Sequence, residues 1–291
     1  MKILVTGANG QLGRETVLIL RASSHDVVAL TRQELDLSKT DQIAECIASH
    51  RADWVINCAA YTQVDKAESE PELASLVNRD AAQAVAEGVH SYGGKLLHVS
   101  TDYVFDGTQS HAYSESDTTH PLGIYGKTKL EGEQATLKLM PDAIILRTAW
   151  VYGIHGHNFV KTILRLIAER DELSVVDDQI GTPSWTADIA QAMLALIEKE
   201  AKGIFHFTDE GVTSWFDFAV AIRETGKNQG FPIKAAKICP IPSKNYPTPA
   251  PRPAFTVLSK EKIRGILGYD IPHWQDSLQS MLKKLKDSTL I

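Results

Sequence analysis

Apolar runs and helix-spaced apolar positions alternate regularly through the first half of the chain. Residues 2–6 form a continuous apolar run closed by Gly7, as expected of a parallel strand buried on both faces. Leu12, Val17, Leu18 and Leu20 then follow at helical spacing. The same alternation gives strands at 26–30, 53–60, 95–99 and 143–147. The intervening helices are expected at about 41–49, from Pro71 through Val85, and from Tyr125 to about Leu139, where Pro141 stops the last of them. Strand–helix alternation of this kind predicts an α/β fold with a doubly wound parallel sheet of the Rossmann type. In such sheets ligands lie beyond the carboxyl ends of the strands, so those ends are where chemistry is sought.

Beyond residue 153 the regularity loosens. Helices are expected at about 158–169, 186–198, 214–225 and 271–286, and strands at 173–176 and 203–207. They suggest a smaller, mixed C-terminal lobe with pieces inserted into the main sheet. Residues 240–253 hold six of the twelve prolines, which predicts an extended stretch poor in backbone donors, either a connector or a lid carrying Arg252.

Several strand ends carry candidate chemistry. The first opens onto Gly7-Ala8-Asn9-Gly10-Gln11-Leu12-Gly13, whose glycine spacing suits a tight turn and close backbone approach to a pyrophosphate at a helix N-terminus. Residues 1–153 are therefore expected to form the NAD(P)-binding Rossmann part, with later segments interleaved, and 154–291 mainly the substrate lobe. At the second strand end Arg32 is either a solvated charge or a partner for the 2′-phosphate of NADPH. Small Ala59 and Ala60 at the third permit close cofactor approach, or simply tight packing. Ser100, Thr101 and Asp102 close the fourth, and Trp150 follows the fifth as either core or pocket wall. Tyr125 and Lys129, four residues apart, share one helix face. A lysine charge beside a phenol lowers its pKa and makes it a usable proton donor, although a surface pair has the same spacing.

Composition narrows the classes. A formal charge of −6 without a basic block argues against nucleic acid as a partner. No segment approaches the roughly 20 apolar residues of a membrane span, and the amino-terminal run is too short for a signal peptide. Three scattered cysteines, Cys46, Cys58 and Cys239, fit a reducing cytoplasm. His155 and His157 form a close pair without carboxylate or thiol neighbours at ligand spacing, read as solvated loop histidines rather than a zinc site.

With these pieces in place the chain resembles the extended short-chain dehydrogenase/reductase family along almost its full length. The match rests on Gly7 through Gly13, Thr101, and the Tyr125/Lys129 pair. Within that family it is most similar to the branch reducing dTDP-linked 4-keto sugars, on Cys58 through Glu68, Ser100 through Phe105, Tyr125 through Lys129 and Arg147 through Gly153. Asn158 through Thr162, Asp178 through Pro183 and Arg252-Pro253 extend the similarity. The resemblance implies NAD(P)H-dependent reduction of the C4 ketone of dTDP-4-dehydro-L-rhamnose to dTDP-L-rhamnose, the last step of that sugar's synthesis. It implies Thr101, Tyr125 and Lys129 as catalytic residues. Gly7, Asn9, Gly10, Gln11, Leu12, Gly13, Arg32, Asp36, Leu37, Ala59, Ala60 and Tyr61 would join Tyr125 and Lys129 on the cofactor. Thr62, Val64, Thr101, Asp102, Tyr103, Trp150, Gln179 and Arg252 would hold the sugar nucleotide. Some relatives are magnesium-linked dimers. Here Glu15 is a counterpart without a glutamate partner after Pro183, so no metal and a monomer or weak homodimer are expected. Two rival readings follow from the same family: a reductase making another dTDP-6-deoxyhexose, and a non-catalytic NADP-binding subunit like that of methionine adenosyltransferase.

Overall fold

Ile3, Leu4 and Val5 are wholly buried, and the reason is the position of β1 (Lys2–Thr6) inside a six-stranded parallel sheet. The computed structural model describes residues 1–235 and 237–289. β1 pairs on one side with β2 (Asp26–Leu30) and on the other with β3 (Trp54–Asn57), followed outward by β4 (Lys95–Thr101) and β5 (Ile144–Thr148). Alternate side chains point to opposite faces. Ile3, Val5, Ile56, Leu97 and Leu146 pack with Leu12, Val17 and Leu20 of α1 (Gln11–Ala22). Leu4, Val55 and Leu96 pack instead with Ile43 and Ile47 of α2 (Thr40–His50). Covering both faces is what makes these strands apolar throughout.

Between β3 and β4 lie α3 (Val64–Ala67), α4 (Pro71–Ser75), a π-helical turn over Leu76–Asp80, and α5 (Ala81–His90). α6 (Ile124–Leu139) crosses between β4 and β5. β3 stops at Asn57, short of the strand expected to reach residue 60. The Asn57 carboxamide oxygen accepts from the Thr6 hydroxyl at 2.6 Å and the Ala59 amide at 3.3 Å, turning the chain out of the sheet.

The second half interleaves with the first. After β6 (Val151–Tyr152) come α7 (Phe159–Glu169), β7 (Glu172–Val176), β8 (Ile180–Gly181) and β9 (Ser184–Trp185). Then α8 (Thr186–Glu198) packs Ile189 and Met193 into the main core, and β10 (Gly203–His206) adds the outer strand beside β5. After β11 (Thr213–Ser214), α9 (Trp215–Asn228) joins α7 and the terminal α11 (Trp274–Thr289) around a second core containing Val160, Ile163, Phe218, Ile222, Leu278 and Leu282. The proline-rich stretch is preceded by a strand not expected from sequence: β12 (Lys237–Ile241) pairs in parallel with β7, taking in Pro240. α10 (Glu261–Leu267) was likewise unmarked. Among the described residues no helix is long and apolar enough to cross a membrane, and Cys46, Cys58 and Cys239 are all free thiols.

Candidate active site

The carboxyl ends of β1 to β5 border one cavity of about 750 Å³. Its floor is the glycine turn. Gly7 has φ +65°, and a Cβ there would approach the Ala59 backbone to 2.9 Å, so only glycine keeps the turn against the third strand end. Gly10 donates to the Gly7 carbonyl at 2.8 Å and opens α1 with no acidic residue in its first turn. Free amides at a helix start, beside small side chains, fit a dinucleotide pyrophosphate. Asn9, Gln11, Leu12 and Gly13 also line this floor, as do Ala59, Ala60, Asp36 and Leu37. Arg32 reaches the rim of the cavity with its side chain 83% exposed and an ion pair to Asp36 at 3.6 Å.

The opposite wall comes from α6, which must lie close to the sheet. Gly126 permits this, since a Cβ would run into the Tyr103 carbonyl. Glu68 accepts from the Ile124 amide at 2.8 Å and so closes the helix start. Asn78, on the π-helical turn, pins the Tyr61 loop with bonds to its amide (2.9 Å) and carbonyl (3.1 Å) and reaches Thr128 of α6 at 3.1 Å. Further along the same helix face, four residues beyond Lys129, Glu133 forms a buried ion pair with Arg147 of β5 at 2.8 Å and bonds the Ser100 hydroxyl of β4. One side chain therefore ties the helix of Tyr125 and Lys129 to β4, which ends at Thr101, and to β5, which precedes Trp150.

Thr101 and Tyr125 both border the cavity, and the Thr101 hydroxyl donates to the Asp102 carboxylate at 3.0 Å and accepts from the Tyr103 amide at 3.2 Å. Tyr103 meets the Tyr125 ring edge-on at 5.6 Å. Burial holds the Tyr125 phenol well above its ordinary value; the nearby Thr101 hydroxyl opposes this, and the Asp102 and Tyr103 charges reinforce it. Lys129, buried to 2% exposure, turns to the Val99 carbonyl at 2.7 Å, and burial draws its pKa down to about 8. The expected lowering of the phenol by Lys129 is thus not seen, because desolvation dominates and the ammonium is directed at the backbone. Burial also pushes Asp102 up to about 6, against the pull of the Thr256 and Thr101 hydroxyls.

Thr62, Val64, Asp102, Tyr103 and Trp150 line the cavity with Tyr61, Tyr125 and Lys129. Gln179 does not. The adjoining strand β8 pairs with β11, and its Gly181 packs on Trp150, where a Cβ would come within 2.7 Å of the ring. Arg252 is also outside the lining. It pairs with Asp65 at 2.8 Å. Trp215, which stacks on Trp150 at 3.5 Å, went unread in the sequence because an aromatic at a helix start carries no signal of its distant partner. His157 lines the cavity, while His155 packs 4.0 Å from Glu15 rather than standing in solvent. Among the described residues no three His, Cys, Asp or Glu are grouped to hold a metal ion.

A glycine turn beneath a parallel sheet, facing a Thr–Tyr–Lys set across one cavity, defines the short-chain dehydrogenase/reductase class. Over residues 1–287 the chain matches the RmlD substrate binding domain, and it belongs to that family. A dTDP-4-dehydrorhamnose reductase of Aggregatibacter actinomycetemcomitans is 43% identical, covering 96% of this chain and 98% of its own. A dTDP-4-keto-6-deoxy-D-glucose reductase of Streptomyces niveus is 42% identical, with 94% of each covered. The crystal structure of dTDP-4-dehydrorhamnose reductase from Bacillus anthracis in complex with NADP superposes with a TM-score of 0.92 at 35% identity, covering 97% of this chain and 99% of that one.

Proposed function

We propose that this chain reduces the C4 ketone of dTDP-4-dehydro-L-rhamnose to dTDP-L-rhamnose with NAD(P)H. The observation that carries the reading is the meeting of Thr101, Tyr125 and Trp150 in the cavity floored by the Gly7–Gly13 turn. A bound reduced nicotinamide supplies the hydride. The Gly7–Gly13 turn holds the pyrophosphate, Asp36 and Leu37 the adenosine end, and Lys129 the nicotinamide ribose hydroxyls. As the carbonyl carbon takes up hydride, its oxygen gains charge that needs a proton and a donor placed beforehand. Tyr125 gives that proton, and the Thr101 hydroxyl, turned from Asp102 Oδ1, donates to the same oxygen. The high pKa that burial gives Tyr125 keeps the phenol protonated until then, which suits an acid rather than a base.

Trp150 and Tyr103 wall the sugar, with Asp102, Thr62 and Val64 beside them. In this reading residues 1–153 form chiefly the cofactor side and 154–291 chiefly the substrate side. The chain works as a monomer or weak homodimer in the cytoplasm. The Streptomyces relative favours a second reading, a different dTDP-6-deoxyhexose as product, because one cavity presents either ring face to the hydride after a small change of sugar pose. Mixing the chain with NADPH and enzymatically prepared dTDP-4-dehydro-L-rhamnose tests the reduction. Loss of nicotinamide absorbance is expected, and no loss would overturn it.

A further inference from the structure

Behind Lys129 runs a buried polar chain that the hydride and proton steps do not use. The Thr6 hydroxyl and the Ala59 amide both donate to Asn57 Oδ1, at 2.6 and 3.3 Å. A backbone amide can only donate, so Oδ1 is fixed as the acceptor end and Nδ2 as the donor end. Asn57 Nδ2 lies 3.0 Å from His98 Nδ1. That ring nitrogen must therefore accept. Burial and the Lys129 charge hold His98 well below its ordinary pKa, so the ring is neutral and its one proton sits on Nε2. Nε2 lies 3.4 Å from Lys129 Nζ. An N–H is thus aimed at the lysine nitrogen, where an amine lone pair accepts it and an ammonium does not.

We infer that His98 is a positioning residue of this reductase: held by Asn57 and Thr6, it fixes Lys129 against Val99 and favours the neutral amine over the ammonium. The inference rests on the reduction proposed above for its use, but not for its test. Burial draws Lys129 towards the amine, and of the polar groups facing it only His98 adds to that bias. On α6, Glu133 favours the ammonium but is engaged by Arg147 and Ser100. From the end of β3 comes Cys58, whose thiol burial pushes up to about 12 and so keeps neutral. From β4 the Val99 carbonyl accepts from either form of the lysine. The consequence is a lysine that exchanges its proton in the working pH range beside the acid it serves, instead of standing as a permanent charge.

The test reads Lys129 directly. In full-length protein carrying 13Cε-labelled lysine, the Lys129 signal is assigned by its absence in Lys129→Met and titrated without substrate. The parent midpoint is expected near 8. His98→Leu removes the opposing N–H and is expected to raise the midpoint by about 1 in pH. His98→Gln, whose terminal amide reaches as far as Nε2, is expected to stay close to the parent. Where His98→Leu does not fold, Asn57→Ala serves instead: freed of its donor, His98 can carry its proton on Nδ1, and the same upward movement is expected. A Lys129 midpoint unchanged in the folded His98→Leu or Asn57→Ala protein would overturn the inference. Because no turnover is read, a chain that reduced no ketone would defeat the functional reading and leave this result standing.

Discussion

Trp150 and Trp215 lie face to face, ring centroids 3.5 Å apart and planes 6° from parallel. Trp150 adopts φ +45°, a conformation that costs a bulky residue of order 1–3 kcal/mol and persists only where its surroundings enforce it. The Trp215 stack and the bare backbone of Gly181 enforce it here, and together they fix one wall of the cavity. Replacing Trp150→Ala should raise KM for the sugar nucleotide about tenfold, a loss of about 1.4 kcal/mol of binding, while the Kd for NADPH stays within about twofold. Steady-state kinetics and a cofactor titration check both halves.

Tyr125→Phe removes the proton donor and little else, since the ring keeps its edge contact with Tyr103. Turnover should fall by about 10²–10⁴, the usual worth of a placed general acid, with cofactor affinity unchanged. A fully active variant would mean that the proton comes from elsewhere.

Arg147→Met should destabilise the fold by about 3–5 kcal/mol, because it leaves the Glu133 carboxylate buried without its partner. Chemical denaturation measures this. The double variant Arg147→Met with Glu133→Leu should recover much of the loss, which distinguishes an unpaired charge from lost volume.

The raised pKa of Asp102, about 6 in the fold against about 4 in an unfolded chain, makes a pH prediction. Between those values the folded state holds the extra proton, so stability falls as pH rises through that window and levels off above it. Asp102→Asn has no such proton to lose. The gap in Tm between variant and parent should therefore widen in the variant's favour from about pH 4 to about pH 7 and stay constant beyond.

The fold and the glycine turn at the end of its first strand were legible in the sequence for a physical reason. Buried parallel strands need unbroken apolar runs, and a pyrophosphate turn needs glycines at fixed offsets, so both leave local marks. Tyr125 and Lys129 were legible as a pair because a helix converts spacing of four into a shared face. What that pair does electrostatically was not, since it depends on burial and on the Val99 carbonyl, which no spacing records. The same holds for Trp215 against Trp150, Arg252 against Asp65, and His98 against Lys129, which are separated by 65, 187 and 31 positions in sequence. Gln179 stands outside the cavity lining: the residue of that motif that packs on the lining residue Trp150 is Gly181, two positions on.

The central claim, hydride transfer to the sugar C4 with protonation by Tyr125, is tested most directly by product analysis with deuterated cofactor. NADPH carrying deuterium at the nicotinamide C4, with both faces labelled, is incubated with dTDP-4-dehydro-L-rhamnose and the product sugar examined by NMR. Deuterium at C4 of a sugar with the L-rhamno configuration is the predicted result. Product without deuterium at C4, or a sugar of the talo configuration at that carbon, would contradict the account.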